Sequence, residues 1–159
     1  MVNDWLKTGL GFGVTSGIIT TLGLMVGLNS GTHSKMVVFG GVLTIATADA
    51  LSDSMGIHIS EESKGNVDQR HVWLSTLSTL FSKFIISLTF IIPLFLFPLN
   101  TAIAVSLFWG MSLLALFSYL IAREMGVHPG GVILEHLGIA LVVVALTNYV
   151  GEWISTVFT

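Results

Sequence analysis

The sequence predicts an all-α integral membrane protein with five transmembrane helices. Hydrophobic residues make up 53% of its 159 residues and charged residues only 9%, whereas about a quarter of the residues in a soluble domain are charged. Its apolar runs are about 20 residues long, which is the length at which an α-helix crosses about 30 Å of hydrocarbon. The net charge of −3 excludes a basic nucleic-acid-binding surface, and the absence of cysteine excludes disulfides and thiolate metal sites.

Five such runs make up a single transmembrane domain, residues 1–159. The segments between them are short and rich in turn-forming and charged residues, which belong outside lipid, so no soluble domain is expected. Pro93 and Pro98 are expected to shift the boundary between the third and fourth spans by a few residues. The predicted spans are 5–28, 36–59, 72–97, 101–122 and 130–158.

The basic residues predict the orientation of the chain. Lysine and arginine accumulate in cytoplasmic loops, and a cytoplasmic N-terminus with the C-terminus on the opposite side leaves only Lys35 outside. Four basic residues then lie on the cytoplasmic side: Lys7, Lys64, Arg70 and Arg123. We therefore expect an N-in, C-out, multi-pass protein, located in the cell membrane of a prokaryote.

A glycine stripe predicts that the first span is a packing helix. Glycines at every fourth position leave a flat surface, where another backbone can approach closely and be held by van der Waals contact. We expect this helix to pack centrally or at a homodimer interface. Ser16 and Thr20 add hydroxyl groups that either bond to their own helix or line a polar path. The stripe comprises Gly9, Gly13, Gly17, Gly23 and Gly27.

The second span carries two aspartates where it should be most apolar. Asp49 and Asp53 are one helical turn apart, so their carboxylates share a face, and Asp49 lies close to mid-membrane. A charged aspartate there costs at least about 2.5 to 3.5 kcal/mol, so we expect the pair to face the bundle interior or a water path. Lys83 is expected at the same depth in the third span and is the predicted ionic partner.

Two interpretations of these three charges stay open. A buried Asp–Lys pair can simply hold two helices in register. However, one lysine neutralises only one aspartate, and two close carboxylates favour the binding of a proton or a cation. Oxygen ligands alone suit hard or borderline divalent ions, and additional histidine or methionine ligands favour iron, manganese or zinc over magnesium.

Further candidate ligands follow at the cytoplasmic end of the second span. In "MGIHISEESK", His58 and Glu62 are four residues apart and share a face, with Met55 and Glu61 nearby. Imidazole and carboxylate groups at this spacing can bind a divalent cation where it would enter the membrane. A solvated surface is an equally good interpretation of a segment rich in Glu and Ser. The predicted metal ligands are Asp49, Asp53, Met55, His58, Glu61 and Glu62.

The fifth span has polar residues near both of its ends. Glu135 and His136 lie near the cytoplasmic side, and Asn148 and Glu152, four residues apart, share a face near the outer side. These residues either continue a polar path across the membrane or reach the two interfaces as ordinary snorkelling side chains.

The first two spans resemble the vacuolar iron transporter family. The resemblance lies in "GVTSGIITTLGLMVGL" and "ADALSDSMGIHISEES", and five spans with a cytoplasmic N-terminus also fit the family. It implies a homodimeric exporter of ferrous iron or manganese that is driven by proton antiport. Ser16 stands where the family has an acidic residue, and Asp53 stands where it has a methionine. Residues 60–71 are too few for the cytoplasmic metal-binding insert of plant members.

The sequence therefore predicts a transporter of divalent cations rather than an enzyme. Asp49 and Asp53 are expected to bind the cation and exchange protons, and no permanently bound cofactor is expected. The alternative is a non-transporting subunit of a larger membrane complex, in which the polar residues only dock neighbouring helices. An intramembrane enzyme is disfavoured because no zinc-binding helix motif occurs. The predicted path is lined by Ser16, Thr20, Asp49, Asp53 and Lys83.

Overall fold

The computed structural model describes residues 4–65 and 68–158, and nearly all of them are helical. Five helical stretches are long and apolar enough to cross a membrane, which confirms the predicted number of spans. Consecutive spans run in opposite directions, so the first, third and fifth are parallel to one another. The helices are α1 (Asp4–Thr32), α2 (Lys35–Ser63), α3 (Gln69–Thr89), α4 (Ile91–Leu96), α5 (Leu99–Met125) and α6 (Pro129–Phe158).

The helices extend beyond the predicted spans because polar caps, rather than hydropathy, set where a helix ends. The Oγ atom of Ser34 accepts a hydrogen bond from the backbone N–H of Val37 at 3.4 Å, and this cap lets α2 begin at Lys35. In the same way, Asp68 accepts from the backbone N–H of Arg70 at 3.2 Å at the start of α3. Hydropathy marks only the part of each helix that is apolar enough for lipid.

The third span is two helices, whereas the sequence predicts one continuous span over 72–97. Pro93 lacks a backbone N–H and its ring crowds the preceding turn, so the regular hydrogen-bond ladder cannot continue through it. The chain tightens at Phe90, whose backbone N–H bonds to Ser87 O at 3.2 Å, three residues back rather than four. Together α3 and α4 still form one candidate span, Gln69–Leu96.

The first helix lies at the centre of the bundle because its glycines admit two other helices. Half of the apolar window of α1 is buried, against 6% of that of α6. A methyl group added to Gly13 would lie 2.8 Å from a carbonyl oxygen of α3, and one added to Gly27 would lie 3.2 Å from a carbonyl oxygen of α6. Central packing is therefore confirmed, and the stripe is not free to form a dimer interface. Gly9, Gly13 and Gly17 face α3, and Gly23 and Gly27 face α6.

The third helix turns its polar face inward and its apolar face outward. Trp73, Phe81 and Ile85 are each more than half exposed. A helix in water would show the reverse pattern. The exposed apolar face of α3 therefore indicates that this face contacts lipid. With five helices suited to crossing a membrane, the chain is a multi-pass membrane protein. The buried residues of α3 are Val72, Ser75, Thr76, Thr79, Ser82, Lys83 and Ser87.

Candidate functional site

A buried lysine joins α1, α2 and α3 near their midpoints. Lys83 has no exposed surface, and its Nζ lies 2.5 Å from Asp49 Oδ2 and also forms an ion pair with Asp53 Oδ2. The same Nζ donates a hydrogen bond to Ser16 Oγ at 2.8 Å, and Ser16 Oγ donates to Asp53 Oδ2 at 2.8 Å. The predicted ion pairing between Lys83 and the aspartates is therefore confirmed. We refer to Ser16, Asp49, Asp53 and Lys83 as the charged cluster.

Helical spacing and one glycine assemble this cluster. Asp49 and Asp53 are one turn apart on α2, so both can reach the same atom of α3. Lys83 can lie against α1 because Gly17 has no side chain; an added methyl group would lie 3.3 Å from Lys83 Cγ. Asp49 is the central residue of α2, Lys35–Ser63, and so lies about 21 Å along the helix from either end.

The two aspartates are held unequally. Asp53 Oδ2 accepts hydrogen bonds from both Ser16 and Lys83, whereas Asp49 Oδ2 approaches Lys83 without the alignment of a hydrogen bond. Both aspartate side chains stay partly exposed, by 29% for Asp49 and 23% for Asp53. With both carboxylates ionised and the lysine charged, the cluster carries one net negative charge. A proton or another cation can neutralise that charge.

A groove between α1 and α2 leads to Asp49. Its volume is about 660 Å³, and it is open along the flank of the bundle. Asp49 is the one member of the charged cluster among the residues that line the groove, and Lys83 is not among them. The groove is lined by Leu24 and Leu28 of α1 and by Val37, Gly41, Thr44, Ile45, Ala48, Asp49 and Ser52 of α2.

Thr20 belongs to the predicted path but is tied to its own helix. Its Oγ1 atom donates a hydrogen bond to the carbonyl oxygen of Ser16 at 2.8 Å. Such a bond satisfies the hydroxyl hydrogen within α1. The oxygen of Thr20 retains lone pairs, so this residue can only accept a hydrogen bond or contribute a weak oxygen ligand.

The ligands predicted at the end of α2 do not come together. Met55 is 49% exposed and Glu62 is exposed as well. Glu61 is buried and forms an ion pair with Lys64 at 2.7 Å, and its second carboxylate oxygen lies 3.6 Å from His71 Nε2. Glu61 thus ties the end of α2 to the start of α3. Within residues 4–65 and 68–158, no group of three or more His, Asp or Glu side chains could hold a metal ion.

His58 faces α3 rather than the glutamates. Its Nδ1 lies 3.0 Å from Thr76 Oγ1, and its ring packs edge-on against Trp73 with the ring centroids 4.7 Å apart. The hydroxyl of Thr76 already donates to Val72 O at 2.8 Å, so it accepts from His58 Nδ1–H. This bond leaves Nε2 as the nitrogen with a free lone pair.

The polar residues of α6 contact neighbouring helices. Asn148 accepts a hydrogen bond from Ser30 Oγ at 2.5 Å and donates to Glu152 at 2.8 Å, which confirms that Asn148 and Glu152 share a face. Near the other end of α6, His136 Nδ1 lies 2.8 Å from Ser118 Oγ. These bonds attach α6 to α1 and α5, and none of them reaches the charged cluster.

The hydroxyl-rich face of α3 is the feature that the sequence interpretation missed. It leads from His58 to Lys83 along the helix, and its spacing is visible in "LSTLSTLFSK", residues 74–83. Ser82 Oγ donates to Gly9 O at 3.2 Å and so attaches α3 to α1. The hydroxyls of Ser75 and Ser78 are buried and have no hydrogen-bond partner among the described residues. The sequence does indicate this polar face, because serine and threonine recur in that segment at helical spacing.

No protein-family model matches the chain, and neither a curated protein nor a solved structure shows significant similarity to it.

Proposed function

We propose that the protein is a membrane transporter that passes a divalent cation, ferrous iron or manganese, out of the cytosol in exchange for protons. The observation that carries this proposal is the charged cluster at the middle of the helices. Ionisable side chains inside a membrane are expensive and mark ion pathways by default. The resemblance of the first two spans to vacuolar iron transporters supports the same function.

Asp49 is the first contact for the cation in this mechanism. It lines the groove, is partly exposed and is held less firmly than Asp53. A carboxylate that can exchange an ion-pair partner for a metal ion or a proton is suited to binding the metal ion and the proton in turn. Asp53, which is fixed by Ser16 and Lys83, would then complete the oxygen ligands from the neighbouring turn.

A second copy of the chain completes the path in this proposal. The groove is open on its flank, where a lipid tail would otherwise meet a carboxylate. Gly40 and Gly56 of α2 have open space around them, so another helix can approach there. A homodimer packed on the outer face of α2 would enclose the groove between two chains. Small residues recur at every fourth position of that face: Gly40, Thr44, Ala48, Ser52 and Gly56.

The second candidate function is a non-transporting subunit of a larger membrane complex. The observation in its favour is that Lys83 is bonded to α1 and α2 at once and is completely buried, as a purely structural bridge would be. In that case the outer face of α2 would dock a different protein. Stability of the purified chain without partners would argue against this candidate.

Transport by the purified chain in proteoliposomes tests the proposal. Uptake of ferrous iron, manganese and calcium is compared while a dye reports the internal pH. We expect saturable flux of iron or manganese together with a pH change, and loss of both in Asp49→Asn. The matched control is Asp68→Asn at the cap of α3, which should transport normally because asparagine also caps helices.

Two results would contradict the proposal. If Asp49→Asn and Asp53→Asn both transport metal as the unaltered chain does, the charged cluster is not the binding site. If a well-folded preparation carries no ion at all, the structural subunit becomes the better interpretation.

A further inference from the structure

Lys83 lies between the two aspartates, where a shared metal ion would also be attracted. Its Nζ contacts Oδ2 of Asp49 and Oδ2 of Asp53. An ammonium group and a metal ion repel each other and cannot both occupy the space between these two oxygens. A metal ion that bridges them would therefore have to displace the lysine from at least one carboxylate.

We propose that Lys83 is a tethered cation that competes with the transported metal for Asp49 and Asp53 and so sets the charge selectivity of the site. This inference rests on the proposed function and assigns a specificity-determining residue to it. Lys83 reaches both carboxylates from α3, whereas the groove between α1 and α2 is lined by Asp49 but not by Lys83 or Asp53. A cation in the groove thus meets Asp49 first, at a surface that Lys83 does not line.

The charge of Lys83 acts more strongly on divalent ions than on monovalent ones. At a given distance, the repulsion between an ammonium group and a divalent ion is twice the repulsion between the same group and a monovalent ion. The lysine also reduces the net charge of the two ionised aspartates from −2 to −1. It therefore weakens divalent binding, and a transport site must bind weakly enough to release its ion.

Ser16 gives the displaced ammonium group a second partner. Its Oγ atom already accepts a hydrogen bond from Lys83 Nζ at 2.8 Å, while its own hydrogen is donated to Asp53 Oδ2. If a metal ion takes the aspartate oxygens, Lys83 keeps this bond within a buried environment. Displacement then does not leave the charged nitrogen without any hydrogen-bond acceptor.

Binding of Mn²⁺ to the purified protein tests this inference. The electron paramagnetic resonance signal of free Mn²⁺, recorded at fixed pH, measures how much of the ion is bound. Lys83→Met is expected to bind Mn²⁺ at least about tenfold more tightly, because the competing charge is gone. Lys83→Arg keeps the charge and is expected to bind no more tightly than the unaltered chain. The control is Lys35→Met at an exposed lysine that bonds to Phe97 O, and its affinity should not change.

A second background protects the test against misfolding, since Lys83→Met leaves two partly buried carboxylates without their partner. Asp53→Asn with Lys83→Met has only one unpaired carboxylate and is compared with Asp53→Asn alone. The number of carboxylates is then constant, and removal of the lysine should again tighten Mn²⁺ binding at least about tenfold.

The outcomes separate this inference from the proposed function. If loss of the lysine leaves Mn²⁺ affinity unchanged or weakens it in both backgrounds, Lys83 is only a helix bridge and the inference is overturned, although metal binding by the unaltered chain still stands. If only chains without the lysine bind Mn²⁺, Lys83 excludes the ion instead of competing with a transported one, and both metal transport and the inference are overturned. Absence of binding in every folded variant overturns both.

Discussion

The contact between α1 and α3 predicts that two alanine substitutions in the same helix have opposite effects. A methyl group added to Gly13 would overlap Ser82 Oγ and lie 2.8 Å from the carbonyl oxygen of Thr79, so the two helices must move apart. Overpacking of this kind typically costs about 1–3 kcal/mol of unfolding free energy. Gly11 has nothing within 4 Å of an added methyl group, and there alanine should stabilise the helix by about 0.5–1 kcal/mol.

Unfolding of the detergent-solubilised protein by increasing dodecyl sulfate, monitored by tryptophan fluorescence, measures both variants. The unfolding midpoint should fall for Gly13→Ala and rise for Gly11→Ala, and the unfolding free energies of the two variants should differ by about 1.5–4 kcal/mol. Gly13→Ala should also weaken transport, because Ser16 is one turn further along α1 and would move away from Lys83. Equal midpoints for the two variants would refute the close packing of α1 on α3.

Two further predictions concern single side chains. Ser16→Ala removes a hydrogen bond from Lys83 and one to Asp53, and should lower the unfolding free energy by about 1–3 kcal/mol in the same titration. Ser16→Thr, which keeps the hydroxyl, is the control, and equal stability of both would argue against the bond. His33 has a φ of 51°, so His33→Gly should stabilise the chain by about 1 kcal/mol, whereas His33→Ala should not.

The sequence was sufficient to predict the spans and the core of the charged cluster. Runs of apolar residues define the five spans, and a carboxylate pair in lipid requires a basic partner, for which Lys83 was the candidate at matching depth. The break at Phe90 was less predictable, because proline inside a membrane helix is often accommodated without ending it. Which neighbour each glycine contacts depends on how the whole bundle is arranged.

The separation of the predicted ligands into different parts of the structure has a geometric reason. Successive residues of an α-helix are about 100° apart, so His58 lies about 180° around α2 from Asp49. Nearness in sequence therefore does not bring His58 to the cluster, and it bonds to Thr76 instead. Glu61 is likewise directed away from the cluster: it lies near His71 of α3 and pairs with Lys64 at the end of its own helix. The angular positions of all the predicted ligands around the axis of α2, compared together, would have separated these residues into two groups.

The ion pairs between α2 and α3 also bear on how the chain enters a bilayer. Lys83 and its two aspartates are on helices that are joined by residues 64–68, so these two helices form a hairpin. A lone α3 would carry an unpaired lysine into lipid, whereas the hairpin pairs that lysine with carboxylates of α2. We therefore expect α2 and α3 to pass from the insertion machinery into the bilayer together. On this view α2 enters the membrane only after α3 has been synthesised.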